Sequence, residues 1–243
     1  ARGQGTEQDL QKSLQLLEQS SEQGCWAATL GLAAYYRFGW LTCFLVNSVY
    51  PNYGVVSEHV IHLARAFYLY HRIASQAPET EKGVLANVYY HLGWMHQDGI
   101  GTQQDYEQCV YWYQKSADLG NPVAINNLAD KYEHGLGVPL DLDMAIGLYQ
   151  QVAGQVIAAD LSLGRMYLEG RGVEQDFELA RKHLNVVLDA RISGIDEMQA
   201  EAMQLIASFT EESPLQQAQH VLKNARDYSI DQVNEQIRKI DSF

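Results

Sequence analysis

Asp98-Gly99-Ile100-Gly101, His134-Gly135-Leu136-Gly137 and Glu169-Gly170-Arg171-Gly172 are one loop written three times. Their first glycines lie 36 and 35 residues apart, and the flanking residues keep the same ruler. Six residues after the first glycine stands an aspartate: Asp105, Asp141 and Asp176. Ten residues after it comes a small side chain, Cys109, Ala145 or Ala180, then Tyr113, Tyr149 or Leu184, then Ala117, Ala153 or Leu188. Upstream, Leu92, Leu128 and Leu163 are followed by Gly93, Ala129 and Gly164. Self-similarity at such a period is the mark of a stacked-repeat architecture.

Each half of the unit reads as a helix. Ala124, Leu128, Ala129 and Tyr132 recur at the spacing of one face of a 3.6-residue turn, and Ala145, Tyr149 and Ala153 form a second such row. Small residues let two helices approach closely, and a large aromatic fills the remaining gap. The Gly-x-Gly turn supplies backbone angles that side-chain-bearing residues resist. The aspartate falls where the second helix starts, so it is expected to be an N-cap, and Asp105 with Gln108 fits a capping box.

The ruler extends in both directions. Gly3-Gln4-Gly5, with Asp9, Ser13, Leu17 and Ser21, predicts that the chain begins inside a repeat whose first helix is missing. Another copy opens at Ala28, Leu32, Ala33, Tyr36 and Gly39, then departs from the pattern. Its second helix resumes near Glu58, where Phe67 to Ala74 aligns with Val110 to Ala117, leaving an insertion over 40–57 that reads as an apolar loop. Ala202, Ile206 and Ala207 keep a degenerate first helix after residue 194, and Pro214 is expected to open its partner. Ser229 and Gln232, followed by Val233, Ile237 and Ile240, predict a terminal capping helix. The expected fold is a single all-α domain over 1–243, a right-handed superhelix of about five to six helix-turn-helix repeats.

These residues resemble the Sel-1-like repeat family, a relative of the tetratricopeptide repeats with a slightly longer unit. The family pattern is nearly complete from Leu163 to Ala180 and good in Leu128 to Ala153 and Leu92 to Ala117. The resemblance implies a superhelical groove for protein–protein contacts and no catalytic residues. It places such proteins in assembly, secretion, envelope or stress pathways, in the bacterial periplasm rather than the cytoplasm. The function implied is an adaptor or scaffold. The alternative is an immunity protein or inhibitor occluding a secreted toxin or lipase, and a lesser one is an envelope hydrolase.

Composition bounds the partners. The chain has 17 basic and 30 acidic side chains and a formal charge of -13, which repels phosphate backbones and anionic lipid. The expected partner is therefore a protein or peptide, of basic character, and no apolar run is long enough to cross a bilayer. Cys25, Cys43 and Cys109 form no metal signature. His59 and His62 stand at i, i+3, but without the further ligands of a metal motif they read as ordinary histidines. The Gly-x-Gly turns lack a P-loop lysine, and no Gly-x-Ser-x-Gly elbow occurs. No cofactor, catalytic residue or metal ligand is assigned.

Two partner-binding surfaces are expected. Projection of the first helices away from their packing rows selects Arg37, Asn87, Tyr90, Trp94, Gln97, Asn126, Asp130, Glu133, Arg165 and Leu168 for the concave face. Tyr90 and Trp94, one turn apart, would be its aromatic anchor, unless Trp94 packs under the next repeat. Phe44, Tyr50 and Tyr53 mark the insertion, either as a docking arm or as a plug over the expanded repeat.

Overall fold

The computed structural model describes residues 7–49 and 56–210, and within them it contains ten helices. They are α1 (Glu7–Glu22), α2 (Trp26–Val49), α3 (Val56–Gln76), α4 (Lys82–Asp98) and α5 (Tyr106–Asp118), followed by α6 (Pro122–His134), α7 (Leu142–Val152), α8 (Ile157–Glu169), α9 (Phe177–Asp189) and α10 (Asp196–Thr210). The helices pack as sequential pairs, with α2 on α3, α4 on α5 and α8 on α9. The chain divides into two compact units, one ending at Leu140 and the other beginning at Asp141.

The repeating residues make the core in each unit. In the first, Leu92, Cys109, Tyr113, Leu128 and Ala129 are completely buried; in the second, Ala145, Leu163, Ala180 and Leu184 are. Gly93 and Tyr113 show why α4 tolerates no side chain at that position. A Cβ on Gly93 would lie 2.5 Å from Cδ1 of the buried Tyr113 ring. The same fit recurs between α8 and α9, where a Cβ on Gly164 would lie 2.7 Å from Cδ2 of Leu184. The glycine lets the helix backbone rest on the large side chain of its partner.

The two glycines of each loop have separate tasks. Gly99, Gly135 and Gly170 end α4, α6 and α8 in the left-handed conformation, with φ of 67°, 65° and 65°. The second glycine meets the preceding hairpin. Gly101 lies on the backbone of Leu63 and Gly137 on that of Tyr106, while Gly172 lies on Leu142 Cβ. Leu63, Tyr106 and Leu142 occupy one repeat position: Tyr106 and Leu142 open α5 and α7, whereas Leu63 is the eighth residue of the longer α3. The spacing is therefore fixed at Gly101 and Gly137 by backbone contact, and at Gly172 by contact with the Leu142 side chain, at points where no Cβ fits.

The aspartates are N-caps. Asp105 Oδ1 accepts from Gln108 N at 3.0 Å, Asp141 Oδ1 from Met144 N at 2.9 Å, and Asp176 Oδ1 from Glu178 N and Leu179 N, both at 3.0 Å. The capping box expected at Asp105 is only half made. Its own backbone N–H donates to His96 O at 2.9 Å, tying the cap to α4 instead of to the Gln108 side chain.

Two expectations change. Gly39 does not end a helix: α2 continues through residues 40–49, so more than half of the expected loop is helical. The reason is local, since Gly39 lacks the second glycine, and Trp40 to Val46 are apolar but for Thr42 and hold no breaker. Asp9 lies inside α1, which starts at Glu7, and is not its cap. α3 begins at Val56, close to the Glu58 start expected. The degenerate first helix is present as α10, with Ala202 completely buried. The segments from Pro214 and from Ser229 lie outside the described residues.

Candidate protein-binding groove

Asn87, Tyr90, His91 and Trp94 share one stripe of α4, because steps of three and four return a helix to the same side. The stripe is braced from both flanks. The Arg37 guanidinium, from α2, donates to His91 Nδ1 and lies over the Trp94 ring, 5.5 Å from its centroid. Guanidinium only donates, so the facing imidazole nitrogen is the unprotonated one. Burial and the Arg37 charge push the His91 pKa down to about 3. On the other flank the Tyr90 ring stacks on Tyr113, with centroids 6.1 Å apart. Tyr113 is locked in turn: its hydroxyl donates to Gln97 Oε1 at 3.3 Å and accepts from Asn127 Nδ2 at 3.2 Å. Tyr90 is thus held by packing before any ligand arrives, which lowers the ordering cost of binding.

Beside this stripe lies a groove of about 400 Å³, open to solvent, between the first half of α4 and the turn joining α5 to α6. Ala86, Leu119 and Val123 supply its apolar surface; Asn87, Tyr90 and His91 supply its polar atoms. The turn is built by Gly120, at φ 82°, and by Asn121, whose Oδ1 caps α6 at Val123 N and Ala124 N. Val123 is exposed at 41% and forms the outer lip. Chemically the groove suits an apolar side chain flanked by peptide groups, since Asn and Tyr can pair with backbone while the floor stays apolar.

Of the sequence-selected residues, the structure gathers Arg37, Asn87, Tyr90, Trp94 and Gln97 on or beneath this stripe. Trp94 is half-buried and packs against the core of its unit. Asn126, Asp130 and Glu133 do not line the groove. Asn126 Nδ2 donates to Asn127 Oδ1, and Asp130 holds the Lys131 ammonium at 2.7 Å and the His134 ring at 3.2 Å. Glu133 is only 3% exposed, so it offers no open carboxylate. Arg165 pairs with Glu201 at 3.6 Å. Leu168 is a core residue of the second unit, not a surface one, because α10 packs against α8 there. Phe44 sits in α2, while Tyr50 and Tyr53 lie outside the described residues.

Ligand atoms of Asp130, Glu133 and His134 come within 4.8 Å of one another, a metal-like cluster that projection alone did not single out. The Lys131 ammonium already supplies its positive charge. Of His59 and His62, the pair weighed for a metal in the sequence, His62 places its ring edge-on to Tyr36 at 5.5 Å. Among the described residues no helix is long and apolar enough to cross a membrane. The groove's far wall, Leu119 to Val123, escaped the projection, which considered only first helices. Gly120-Asn121-Pro122 is nonetheless a legible helix start, with a cap residue before a first-turn proline.

Helix hairpins stacked through paired-glycine turns, with a shallow groove beside a rigid aromatic, define a helical repeat protein. The Sel1 repeat pattern matches residues 1–25, 63–78, 86–121, 122–155 and 157–185, more than half of the sequence, and the chain belongs to the Sel1 repeat family. Repeats of this family typically mediate protein–protein interactions and act as non-catalytic scaffolds.

Two solved structures share the fold. A protective antigen present in uropathogenic Escherichia coli strains, displaying an SLR fold, is 26% identical with a TM-score of 0.58, over 86% of this chain and 43% of the other. A Sel1 repeat protein from Oxalobacter formigenes is 21% identical with a TM-score of 0.57, over 86% of this chain and 82% of the other. Among curated relatives, the ERAD-associated E3 ubiquitin-protein ligase component HRD3B of Arabidopsis thaliana is 30% identical over 109 residues, 45% of this chain and 17% of its own length. Protein sel-1 homolog 2 of Mus musculus is 41% identical over 63 residues, 26% of this chain and 9% of its own. The chain spans less than a fifth of the length of these two relatives.

Proposed function

We propose that this chain is a non-enzymatic adaptor that holds a segment of a partner protein in the groove between α4 and the α5–α6 turn. The observation that carries the reading is the pre-set Tyr90 ring, stacked on a hydrogen-bonded Tyr113 at the edge of an apolar-floored cleft. Aromatic anchors immobilised in the free protein are what binding hot spots are made of. The formal charge of -13 favours the approach of a basic partner over an acidic one.

The test is a selection of peptide ligands on the full chain, followed by V123E and N87R. Both positions are exposed, so neither variant disturbs the core, and a first-turn glutamate suits the helix dipole. Each should weaken a selected peptide at least about tenfold, or roughly 1.4 kcal/mol. Peptides that bind both variants as tightly as the original chain would place the interaction elsewhere.

A further inference from the structure

On the side of α4 opposite His91, the chain builds a second surface from aromatic faces. Tyr89 of α4 and Tyr111 and Trp112 of α5 surround one ammonium, that of Lys115. Its Nζ lies 4.8 Å from the Tyr111 ring centroid, 5.4 Å from Tyr89 and 5.5 Å from Trp112. The rings stand as walls and floor. Trp112 is 8% exposed and is met at 76° by Tyr111 and at 31° by Tyr89. His71 packs edge-on to the same indole at 5.3 Å. Tyr111, 47% exposed, forms the mouth.

Among the described residues no carboxylate pairs with Lys115; three ring faces hold it. Such a site selects a cation by the quadrupole of its rings, and it favours the cation that is least costly to strip of water. Methylation of an ammonium removes its hydrogen-bond donors and weakens its hydration, so a quaternary ammonium gains most from such surroundings. Any partner cation has to displace Lys115, which is tethered one turn from Tyr111, and an unmodified lysine has no hydration advantage over it.

We infer that the Tyr89–Tyr111–Trp112 cage is a binding site for a methylated lysine of a partner protein, closed in the free chain by Lys115. The acid-rich surface of the chain, at -13, complements a cationic segment carrying such a residue. This site is separate from the α4 groove and stands or falls without it.

The test uses the full chain, wild type against K115A, with K115Q as a second opening variant. Retained helicity and melting temperature show that the fold persists. Trp emission is titrated with a peptide carrying trimethyl-lysine, with its unmethylated form, and with phosphatidylcholine vesicles. The expected result is saturable binding of the methylated peptide by K115A and K115Q, at least about tenfold tighter than by wild type, and its loss when Y111A is added. Three outcomes overturn the assignment: no binding by either opening variant, binding that survives Y111A, or equal affinity for the unmethylated peptide. Vesicle binding that exceeds peptide binding would also overturn it, by assigning the cage to a choline headgroup.

Discussion

Replacing Gly137 with alanine tests the contact that sets the distance between successive hairpins. Two costs meet at this position. At φ 76° an alanine sits in the left-handed region, which costs about 1–2 kcal/mol for an L-residue. Its Cβ would also run into the backbone carbonyl of Tyr106 and stand 2.8 Å from Glu107 N, in the first turn of α5. Backbone cannot swing aside as a side-chain tip can, so α5 or the loop must shift, at about a further 1–3 kcal/mol. Gly120 supplies the control. Its φ is 82°, yet a Cβ there meets nothing within 4 Å, so G120A carries the conformational cost alone. The difference between the variants, about 1–3 kcal/mol, isolates the steric term. Urea unfolding followed by circular dichroism measures it. Repeat arrays need not unfold in one step, so amide exchange in the first turn of α5 should accompany it. In G137A those amides should lose protection; in G120A they should keep it. Equal destabilisation of the two variants, within about 0.5 kcal/mol, would refute the claim that the second glycine docks one hairpin on the last.

Acid should weaken the first unit through His91. Its folded pKa of about 3 lies below the ordinary 6.5, so the unfolded chain takes up the proton first as pH falls. Its contribution is complete above pH 6.5 and is lost on the way down to about 3, at roughly 1.4 kcal/mol per pH unit. By pH 5 that is a loss of about 2 kcal/mol, and H91Q, which keeps an acceptor for Arg37, should unfold with a slope one proton smaller in that window. Burial displaces His71 and His96 in the same direction, so a shallower slope remains in the variant. Cap removal by D176A, which frees Glu178 N and Leu179 N, should cost about 1 kcal/mol in urea unfolding, with D176N recovering most of it. Y113F removes a buried hydroxyl bonded to Gln97 and Asn127 and should cost roughly 1 kcal/mol in the same assay. It should also weaken groove ligands by less than V123E does, because the ring stack under Tyr90 survives.

What could be read in the amino acids, and what could not, divides by the range of the interaction. Asp105, Asp141 and Asp176 act within one turn of chain, and the caps appear where the ruler put them. Leu92, Leu128 and Leu163 recur at one register and are completely buried; Leu92 and Leu163 lie on helices that pack on their own hairpin partners, α5 and α9, at a fixed sequence distance. Gly39 misled because its copy lacks the second glycine, and an apolar stretch with no breaker prolongs a helix. Glu133 and Leu168 misled for a different reason. Projection treats a helix as isolated, whereas exposure in the last turn depends on what packs across it, as α10 does at α8. The groove follows the same logic: one wall comes from a first helix and the other from a turn at the far end of its hairpin. The Lys115 cage combines Tyr89 with Tyr111 and Trp112, 22 and 23 residues later, and owes its geometry to the α4–α5 contact that Gly93 permits. A single methyl at Gly93 would therefore damage cage and groove together, since Tyr113 underlies the Tyr90 stack and lies next to Trp112. G93A should then lose both ligand classes, whereas V123E should lose only the groove ligand and Y111A only the methylated peptide. Cross-sensitivity of those two surface variants would show that the surfaces are not independent.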